Sequence, residues 1–281
     1  MATFTYDSAT RIHYDCYGDG EDVIILVHGF GDTRETWREI VPFLAVSHRL
    51  FVIDLLGSGL SSKPRESNYS ILNHVAIITA FLLDRGLNRI SLIGHSLGGA
   101  IALKLALDLT ERTNVSLDHL VLIDAAGLPQ EVPSFIKIPT LPILGPLIIY
   151  GVPARLQSYV SIRPVYRIRG TYGPERSLRY ARSLRSSGGA RALIMTAKAI
   201  VADRFAPWFQ DLSILCCKTL IIWGSDDPVI PVAHAHVLKQ EILYSEMFIA
   251  TSCGHVPQEE LPDIIGPVIS RFLRNRTDHG N

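Results

Sequence analysis

The chain has 281 residues, of which 47% are hydrophobic and only 19% are charged. A chain of this length and composition can bury a substantial core, which excludes global disorder. Its 27 Lys and Arg residues balance its 27 Asp and Glu residues, which argues against a surface that binds nucleic acid throughout. The four cysteines are too few and too irregularly spaced for a disulfide framework or a CxxC zinc site.

The beginning of the chain lacks a basic segment followed by an apolar run, so the sequence predicts no signal peptide. The most apolar window, residues 136–152, is broken by prolines and is shorter than a membrane-spanning helix. We therefore expect a soluble protein of the cytoplasm, and we do not expect it to contact a membrane.

The predicted elements begin with two segments of alternating polarity, residues 3–7 and 11–17, which indicate an antiparallel hairpin. Short apolar runs then alternate with longer helical patterns, which is typical of an α/β fold with a mostly parallel sheet. The runs predict buried strands at 23–28, 50–55, 89–93, 120–124, 219–224 and 246–250. The helical patterns lie at 36–44, 70–85, 96–109, 232–241 and 261–275. Together these elements predict a sheet of eight strands flanked by helices.

Residues 126–205 interrupt this alternation, because they contain no run typical of a buried strand. The first part of the interruption is rich in proline, and the second part consists of amphipathic helical patterns rich in arginine. We therefore predict one core, formed by residues 1–125 and 206–281, with residues 126–205 as a helical insertion between the sixth and seventh strands.

A candidate nucleophile lies between the strand that ends at Ile93 and the next helical pattern. The segment Gly94-His95-Ser96-Leu97-Gly98 fits the pattern G-x-S-x-G. A tight turn from strand to helix holds the serine backbone in a strained conformation and exposes its hydroxyl above the sheet. The glycines are needed because a Cβ atom at either position would collide with the neighbouring strand or helix. The pattern predicts Ser96 as a nucleophile.

Three further motifs accompany this turn, namely His28-Gly29-Phe30-Gly31, Asp54-x-x-Gly57-x-Gly59-x-Ser61, and Trp223-Gly-Ser-Asp-Asp227-x-x-x-Pro231 followed by Gly254-His255. With the Ser96 motif they resemble the α/β-hydrolase fold family, in particular cap-bearing serine hydrolases such as carboxylesterases, carbon–carbon bond hydrolases and haloperoxidase-like enzymes. The resemblance implies that residues 126–205 form a cap, or lid. It also implies that the backbone N–H groups of Phe30 and Leu97 stabilise an oxyanion.

A serine nucleophile needs a neutral imidazole to take its proton and a carboxylate to orient that imidazole. His255 is the late histidine that lies in a loop directly after a predicted strand, and the family motif makes it the candidate base. The same resemblance points to Asp227 as the acid. Asp124, at the end of an earlier strand, and the adjacent Asp226 remain alternatives.

The resemblance implies a hydrolase that needs no cofactor and no metal, and that cleaves a carboxylic ester or thioester through an acyl-enzyme. Carbon–carbon bond hydrolases are an alternative, although they typically carry Asn before the nucleophile and Trp after the histidine, where this chain has His95 and Val256. A carrier-protein methyl esterase and a non-catalytic receptor with the same fold are further alternatives. The apolar stretch 135–150 is expected to line an acyl pocket over Ser96.

Charge is distributed unevenly along the predicted cap. Residues 155–191 contain nine arginines, no lysine and one acidic residue, Glu175, which gives this stretch a net charge of +8 in a neutral chain. Arginine suits carboxylates and phosphates because its planar guanidinium donates two parallel hydrogen bonds. These arginines could pair with acidic residues of the core below. Alternatively, they could bind an anionic substrate group, a phospholipid surface or an acidic acyl-carrier protein.

Overall fold

The fold is known from a computed structural model that describes residues 2–112, 115–203 and 211–274. Its strands are β1 (Ala2–Thr5), β2 (Arg11–Tyr17), β3 (Val23–Val27), β4 (Arg49–Ile53), β5 (Arg89–His95), β6 (Ser116–Ile123), β7 (Lys218–Gly224) and β8 (Ser245–Ala250). They form one sheet in the order β1-β2-β4-β3-β5-β6-β7-β8. The pairs that involve β1 or β2 are antiparallel, and all others are parallel. The predicted α/β class with a mostly parallel sheet of eight strands is confirmed.

The helices of the described residues are α1 (Val41–Leu44), α2 (Ile71–Asp84), α3 (Leu97–Arg112), α4 (Ser134–Thr140), α5 (Leu144–Gly151), α6 (Ala154–Ser161), α7 (Pro174–Arg185), α8 (Gly189–Asp203), α9 (Ala233–Glu241), α10 (Pro257–Glu260) and α11 (Pro262–Arg274). The predicted helix over 36–44 is shorter in the structure, because a 3-10 turn at Arg34–Trp37 precedes α1. Pro42 lacks an N–H group and fits only the first turn of a helix, which explains why α1 begins at Val41.

The core lies on both faces of the sheet, and β3 shows why its sequence is apolar at every position. Successive side chains of a strand point to opposite faces. Ile25 and Val27 therefore pack into the cluster that includes residues of α2 and α3, while Ile24 and Leu26 pack with Ile265 and other residues of α11. Both faces are covered, so a polar side chain at any of these positions would lose its contact with water.

Between β6 and β7 the described chain forms helices α4–α8 together with a short 3-10 turn, Arg163–Val165. We call residues 134–203 the helical segment. Three of its helices follow or begin with a proline, at Pro133, Pro153 and Pro174, which suits the first turn of a helix. Among the described residues no single helix is long and apolar enough to cross a membrane, although α4 and α5 together have that length and composition and meet at a bend of 105°.

Candidate active site

Ser96 lies in the turn between β5 and α3, and its backbone has a positive φ of 53°. A non-glycine residue rarely adopts this conformation, and here close packing imposes it. A Cβ atom on Gly94 would come within 2.3 Å of the Gly98 carbonyl oxygen, and one on Gly98 within 2.2 Å of the Val27 carbonyl oxygen. The two glycines of the motif therefore let β5, α3 and the end of β3 approach closely enough to hold the turn.

A chain of two hydrogen bonds connects Ser96 to two residues from distant parts of the sequence. Ser96 Oγ lies 2.9 Å from His255 Nε2, and His255 Nδ1 lies 2.7 Å from Asp227 Oδ2. Asp227 follows β7 and His255 follows β8, so the ends of parallel strands bring all three side chains to one edge of the sheet. Asp227 accepts two further hydrogen bonds, from the N–H groups of Val229 and Ile230, at 2.7 and 3.1 Å. They fix the carboxylate that orients the imidazole.

A second carboxyl group, that of Asp124, lies close to Asp227 and His255. It is fully buried, accepts a hydrogen bond from Gly224 N at 3.0 Å, and has a carboxylate oxygen within 4.8 Å of one from Asp227. Burial and the nearby charge of Asp227 raise the pKa of Asp124 well above its ordinary value. Burial would also raise the pKa of Asp227, but the neighbouring His255 lowers it. This shift favours the neutral form of Asp124, whose carboxyl O–H can donate a hydrogen bond to the ionised Asp227.

Asp124, Asp227 and His255 place potential ligand atoms within 4.8 Å of one another, so among the described residues they are also a cluster that could hold a metal ion. The hydrogen bond between His255 Nδ1 and Asp227 Oδ2 already occupies two of the atoms that such an ion would need. Metal binding here would break the contact that orients His255.

His95 and Glu260 fix the backbone around His255. His95 Nε2 lies 2.7 Å from the carbonyl oxygen of His255 and donates to it, which places the ring proton on that nitrogen. Burial, together with the charge of His255, lowers the pKa of His95 to about 3, so the ring is neutral. Glu260 accepts a hydrogen bond from Gly254 N at 2.8 Å through one oxygen. Its other oxygen accepts from the N–H groups of Arg167 and Ile168 in the helical segment, at 2.8 and 2.5 Å.

Glu259 connects the same loop to the arginine-rich helix α7. It is buried, forms an ion pair with Arg179, and lies 2.5 Å from Arg176 Nε and 2.7 Å from Tyr166 Oη. Arg179 also forms an ion pair with Asp32 at 3.0 Å. Burial alone would raise the pKa of Glu259, but Arg179 and hydrogen bonds from neighbouring hydroxyl groups lower it to about 2. Glu259 is therefore ionised and neutralises charge that α7 brings to the site.

A cavity of about 620 Å³, including the part open to solvent, contains Ser96 and His255. Its other walls are formed mainly by Phe30 and by the helical segment, with side chains that include Phe135, Ile136, Ile162, Val165, Tyr166 and Tyr180. A second cavity of about 450 Å³ shares residues 29–31 and Tyr180 with the first and adds Leu97. The backbone N–H groups of Phe30 and Leu97 donate no hydrogen bond within the described residues, so both remain available to a ligand.

The structure brings together Ser96, His255 and Asp227, as the sequence motifs predict, and places Phe30 in the same cavity. Asp226 points elsewhere, because its carboxylate accepts a hydrogen bond from Ser225 Oγ at 2.8 Å and is exposed. Asp124 lies beside the predicted acid and contacts it. No sequence motif indicated the contributions of His95, Glu259 and Glu260. For Glu259 and Glu260, the available signal was that two adjacent acidic residues follow His255 closely in the sequence.

The nine arginines of residues 155–191 divide into two groups. Arg176 and Arg179 are mostly buried and bind carboxylates of the core, while Arg167 and Arg191 bind backbone carbonyl oxygens. The other five are exposed and have no carboxylate partner among the described residues; they are Arg155, Arg163, Arg169, Arg182 and Arg185. Pairing with the core therefore accounts for only part of the positive charge.

Comparison with known proteins gives a consistent assignment. A family model described as the alpha/beta hydrolase fold matches residues 22–143. An uncharacterized protein of Mycobacterium tuberculosis is 29% identical over 263 residues, covering 89% of this chain and 74% of the relative. The 2-hydroxy-6-oxo-6-phenylhexa-2,4-dienoate hydrolase of Burkholderia cepacia is 26% identical over 281 residues, covering 94% of this chain and 92% of that enzyme. The crystal structure of a bacterial membrane phospholipase A is similar with a TM-score of 0.80 at 25% identity, covering 98% of this chain and 86% of that one. With the sheet order and the turn at Ser96, these findings show that the chain has the α/β-hydrolase fold.

Proposed function

We propose that this protein is a hydrolase that cleaves a carboxylic ester or thioester through an acyl-enzyme intermediate. The observation that carries the proposal is the chain of hydrogen bonds from Ser96 Oγ to His255 and from His255 to Asp227, at 2.9 and 2.7 Å. In this arrangement a serine hydroxyl becomes a strong nucleophile, because the imidazole removes its proton and the carboxylate stabilises the imidazolium that forms.

Each step of the reaction has a residue suited to it. Ser96 Oγ attacks the carbonyl carbon while His255 Nε2 accepts the hydroxyl proton. The negative oxygen of the tetrahedral intermediate accepts hydrogen bonds from the unpaired N–H groups of Phe30 and Leu97. His255 then donates its proton to the leaving alcohol or thiol, and Ser96 keeps the acyl group. Water repeats the sequence with His255 as the base and releases the acid.

The walls of the cavity support an uncharged acyl group as the substrate. Residues 134–203 act in this proposal as the cap, and their apolar side chains Phe135, Ile136 and Ile162 line the cavity that contains Ser96. Arg176 and Arg179 also line it, but both pair with Glu259, and each has a second carboxylate partner, Glu39 for Arg176 and Asp32 for Arg179. An anionic substrate group would have to compete with buried carboxylates for these guanidinium groups. A neutral ester avoids that competition.

The direct test is the hydrolysis of chromogenic esters of graded acyl length by the wild-type protein and by Ser96→Ala. We expect turnover by the wild type only, with no effect of a chelator. Acid quenching of the wild-type protein during turnover, with an acyl group then detected on Ser96 by mass spectrometry and absent from Ser96→Ala, would identify the intermediate. Equal rates for the wild type and Ser96→Ala would reject the proposed chemistry, and so would activity that a chelator removes and a divalent metal restores.

A second candidate function is hydrolysis of a carbon–carbon bond in a ring-cleavage product. The observation that favours it is the position of Arg176 and Arg179 in the cavity, since the relative from Burkholderia cepacia is named for an anionic dienoate. His95 and Val256 stand against it, because this chain lacks the Asn and Trp that the carbon–carbon hydrolases typically carry at these positions. Turnover of a 2-hydroxy-6-oxo-dienoate at a higher kcat/KM than any ester in the series would favour this candidate.

A further inference from the structure

The outward side of helices α4–α6 has an unusual concentration of apolar side chains. Nine of the nineteen exposed large hydrophobic residues in the described part of the chain lie between positions 138 and 160. We call them the outer face; they are Ile138, Leu141, Ile143, Leu144, Leu147, Tyr150, Leu156, Tyr159 and Val160. Single exposed hydrophobic residues are normal on a protein surface, but a cluster of this kind indicates contact with another apolar medium.

Helix α6 shows that this exposure is built into the fold, because its polar and apolar sides are reversed relative to a helix that faces water. Gln157 and Ser158 are buried, whereas Leu156, Tyr159 and Val160 are exposed by 51%, 63% and 63%. The two polar side chains have partners inside. Gln157 Nε2 donates to the carbonyl oxygens of Ile148, Ile149 and Val152, and Ser158 Oγ lies 2.7 Å from Tyr172 Oη.

The bonds of Gln157 also attach α6 to the end of α5, which has an exposed apolar side of its own. On α5, Gly145 and Ile149 are buried, while Leu144 and Leu147 are exposed by 46% and 65%. The preceding bend exposes Ile143 by 83%. Two successive helices therefore each turn an apolar side away from the protein. The prolines that interrupt the helical pattern do not prevent this, because each short helix presents its own face.

Charge around the outer face has a single sign. No acidic residue occurs between Glu131 and Glu175, a stretch that contains Lys137 and four arginines. Three of these arginines, Arg155, Arg163 and Arg169, are exposed and have no carboxylate partner in the part of the chain that the structure describes. Arg182 and Arg185 on α7 add two more exposed cations. Residues 132–174 thus combine exposed apolar side chains with arginines that lack a carboxylate partner, and they include no acidic residue.

We propose that the outer face binds the surface of a bilayer that contains anionic phospholipid. Its leucine, isoleucine and valine side chains enter the boundary between head groups and acyl chains, its tyrosines lie at the head-group level, and the arginines bind lipid phosphates. An acidic carrier protein would match the arginines, but it leaves the nine apolar side chains without a role. This inference stands on the surface alone and holds whatever reaction Ser96 catalyses.

The first experiment measures sedimentation of the full chain with vesicles of pure phosphatidylcholine and with vesicles in which a third of the lipid is phosphatidylglycerol. We expect binding to the anionic vesicles, weakened by salt. The double variant Ile143→Ser/Leu147→Ser should lower the partition coefficient by about a hundredfold, because each buried side chain contributes on the order of a factor of ten. The matched control is Leu83→Ser/Leu243→Ser, which replaces side chains exposed by 63% and 66% outside the helical segment. It should bind as the wild type does.

The second experiment separates charge from apolar contact. Arg155→Gln/Arg163→Gln should weaken binding to the anionic vesicles by about fivefold per arginine and leave binding to phosphatidylcholine unchanged. The control is Arg49→Gln/Arg65→Gln, which replaces two exposed arginines outside the helical segment. It should have a much smaller effect. Circular dichroism on every variant confirms that its fold is intact.

Three results would overturn the proposal. The wild type could fail to bind the anionic vesicles. The control pairs could weaken binding as much as the outer-face pairs. An acidic acyl-carrier protein could bind tightly, with its affinity reduced by Arg155→Gln/Arg163→Gln and not by Ile143→Ser/Leu147→Ser, while vesicles do not bind; in that case the arginines serve a protein partner.

Discussion

The two sides of the cavity are held in place by different kinds of interaction. On the sheet side, backbone atoms in close contact fix the turn at Ser96, and a methyl group on Gly94 or Gly98 would overlap a carbonyl oxygen. On the other side, the helical segment is attached to the core through side chains, chiefly those of Glu259 and Glu260. The sheet side therefore tolerates little change, whereas the opposite wall can vary without disturbing the nucleophile.

The loop that carries His255 contacts the helical segment through backbone atoms as well as side chains. His255 N donates a hydrogen bond to the carbonyl oxygen of Val165 at 2.9 Å. The Glu260 carboxylate accepts hydrogen bonds both from Gly254 N and from the N–H groups of Arg167 and Ile168 in the helical segment. The base of the proposed reaction is thus held from both sides. Substitutions at the two sides and in this loop should have effects of different size.

The largest effect is expected at the three hydrogen-bonded residues Ser96, His255 and Asp227. Ser96→Ala and His255→Ala should each lower kcat/KM for a chromogenic ester by about 10⁴-fold or more, and Asp227→Asn by about 10³-fold or more, because the three groups act as a unit. Thermal unfolding should change little. A variant of Ser96 that keeps more than a few per cent of wild-type activity would contradict the assignment of the nucleophile.

The next effect concerns the attachment of the helical segment. Glu259→Gln leaves Arg176 and Arg179 without their buried carboxylate, which should lower the free energy of unfolding by about 3 kcal/mol or more. Glu175→Gln is the matched control, because its ion pair with Arg38 is exposed and should contribute little. Urea unfolding followed by circular dichroism measures both. Equal losses in the two variants would show that burial of Glu259 has no special importance.

The ion pairs of Glu259 also make the free energy of unfolding depend on pH. The pKa of Glu259 falls from its ordinary value of 4.5 to about 2 in the folded protein, so the unfolded chain binds the proton more readily. The contribution of Glu259 is therefore fully present above the higher value and is lost as the pH falls toward the lower one. Urea unfolding across this range should show a steeper loss for the wild type than for Glu259→Gln. Parallel curves would contradict the ionised state of Glu259.

A smaller effect is expected in the His255 loop. Both oxygens of Glu260 accept hydrogen bonds from N–H groups, so a glutamine must direct its own NH₂ group toward one of these donors. Glu260→Gln should therefore displace the loop and lower kcat by about tenfold, with little change in KM. A change in KM alone would show that Glu260 shapes the cavity and does not position His255.

The smallest effect is expected at Asp124. Asparagine can donate to Asp227 and accept from Gly224 N, and it tolerates the positive φ of 42° at this position. Asp124→Asn should therefore keep kcat/KM within a few-fold of the wild type, whereas Asp124→Ala, which leaves both partners unpaired, should reduce it further. If Asp124→Asn costs as much as Asp227→Asn, Asp124 takes part in the chemistry directly.

Local patterns were sufficient to predict the strands, the turn at Ser96 and the positions of Asp227 and His255. Each depends on residues that are adjacent in the chain or on the rule that parallel strands end at one edge. The roles of Glu259 and Arg179 could not be predicted, because their contact joins positions 80 residues apart. The same limit applies to the arginines. Nothing in the sequence distinguishes Arg179, which binds Asp32, from Arg182, which faces solvent, until the side of α7 that packs on the core is known.

The close approach of the helical segment to Gly254 limits how this segment can be exchanged between related proteins to make a chimera. A Cβ atom on Gly254 would lie 2.3 Å from the carbonyl oxygen of Val165 and 3.0 Å from Arg167 N. Residues 165–168 therefore belong structurally to the His255 loop, although they lie within the segment that a modular exchange between relatives would replace. A chimera that takes residues 134–203 from another protein with this fold should keep Val165–Ile168 from this chain, or else take the donor's own histidine loop as well.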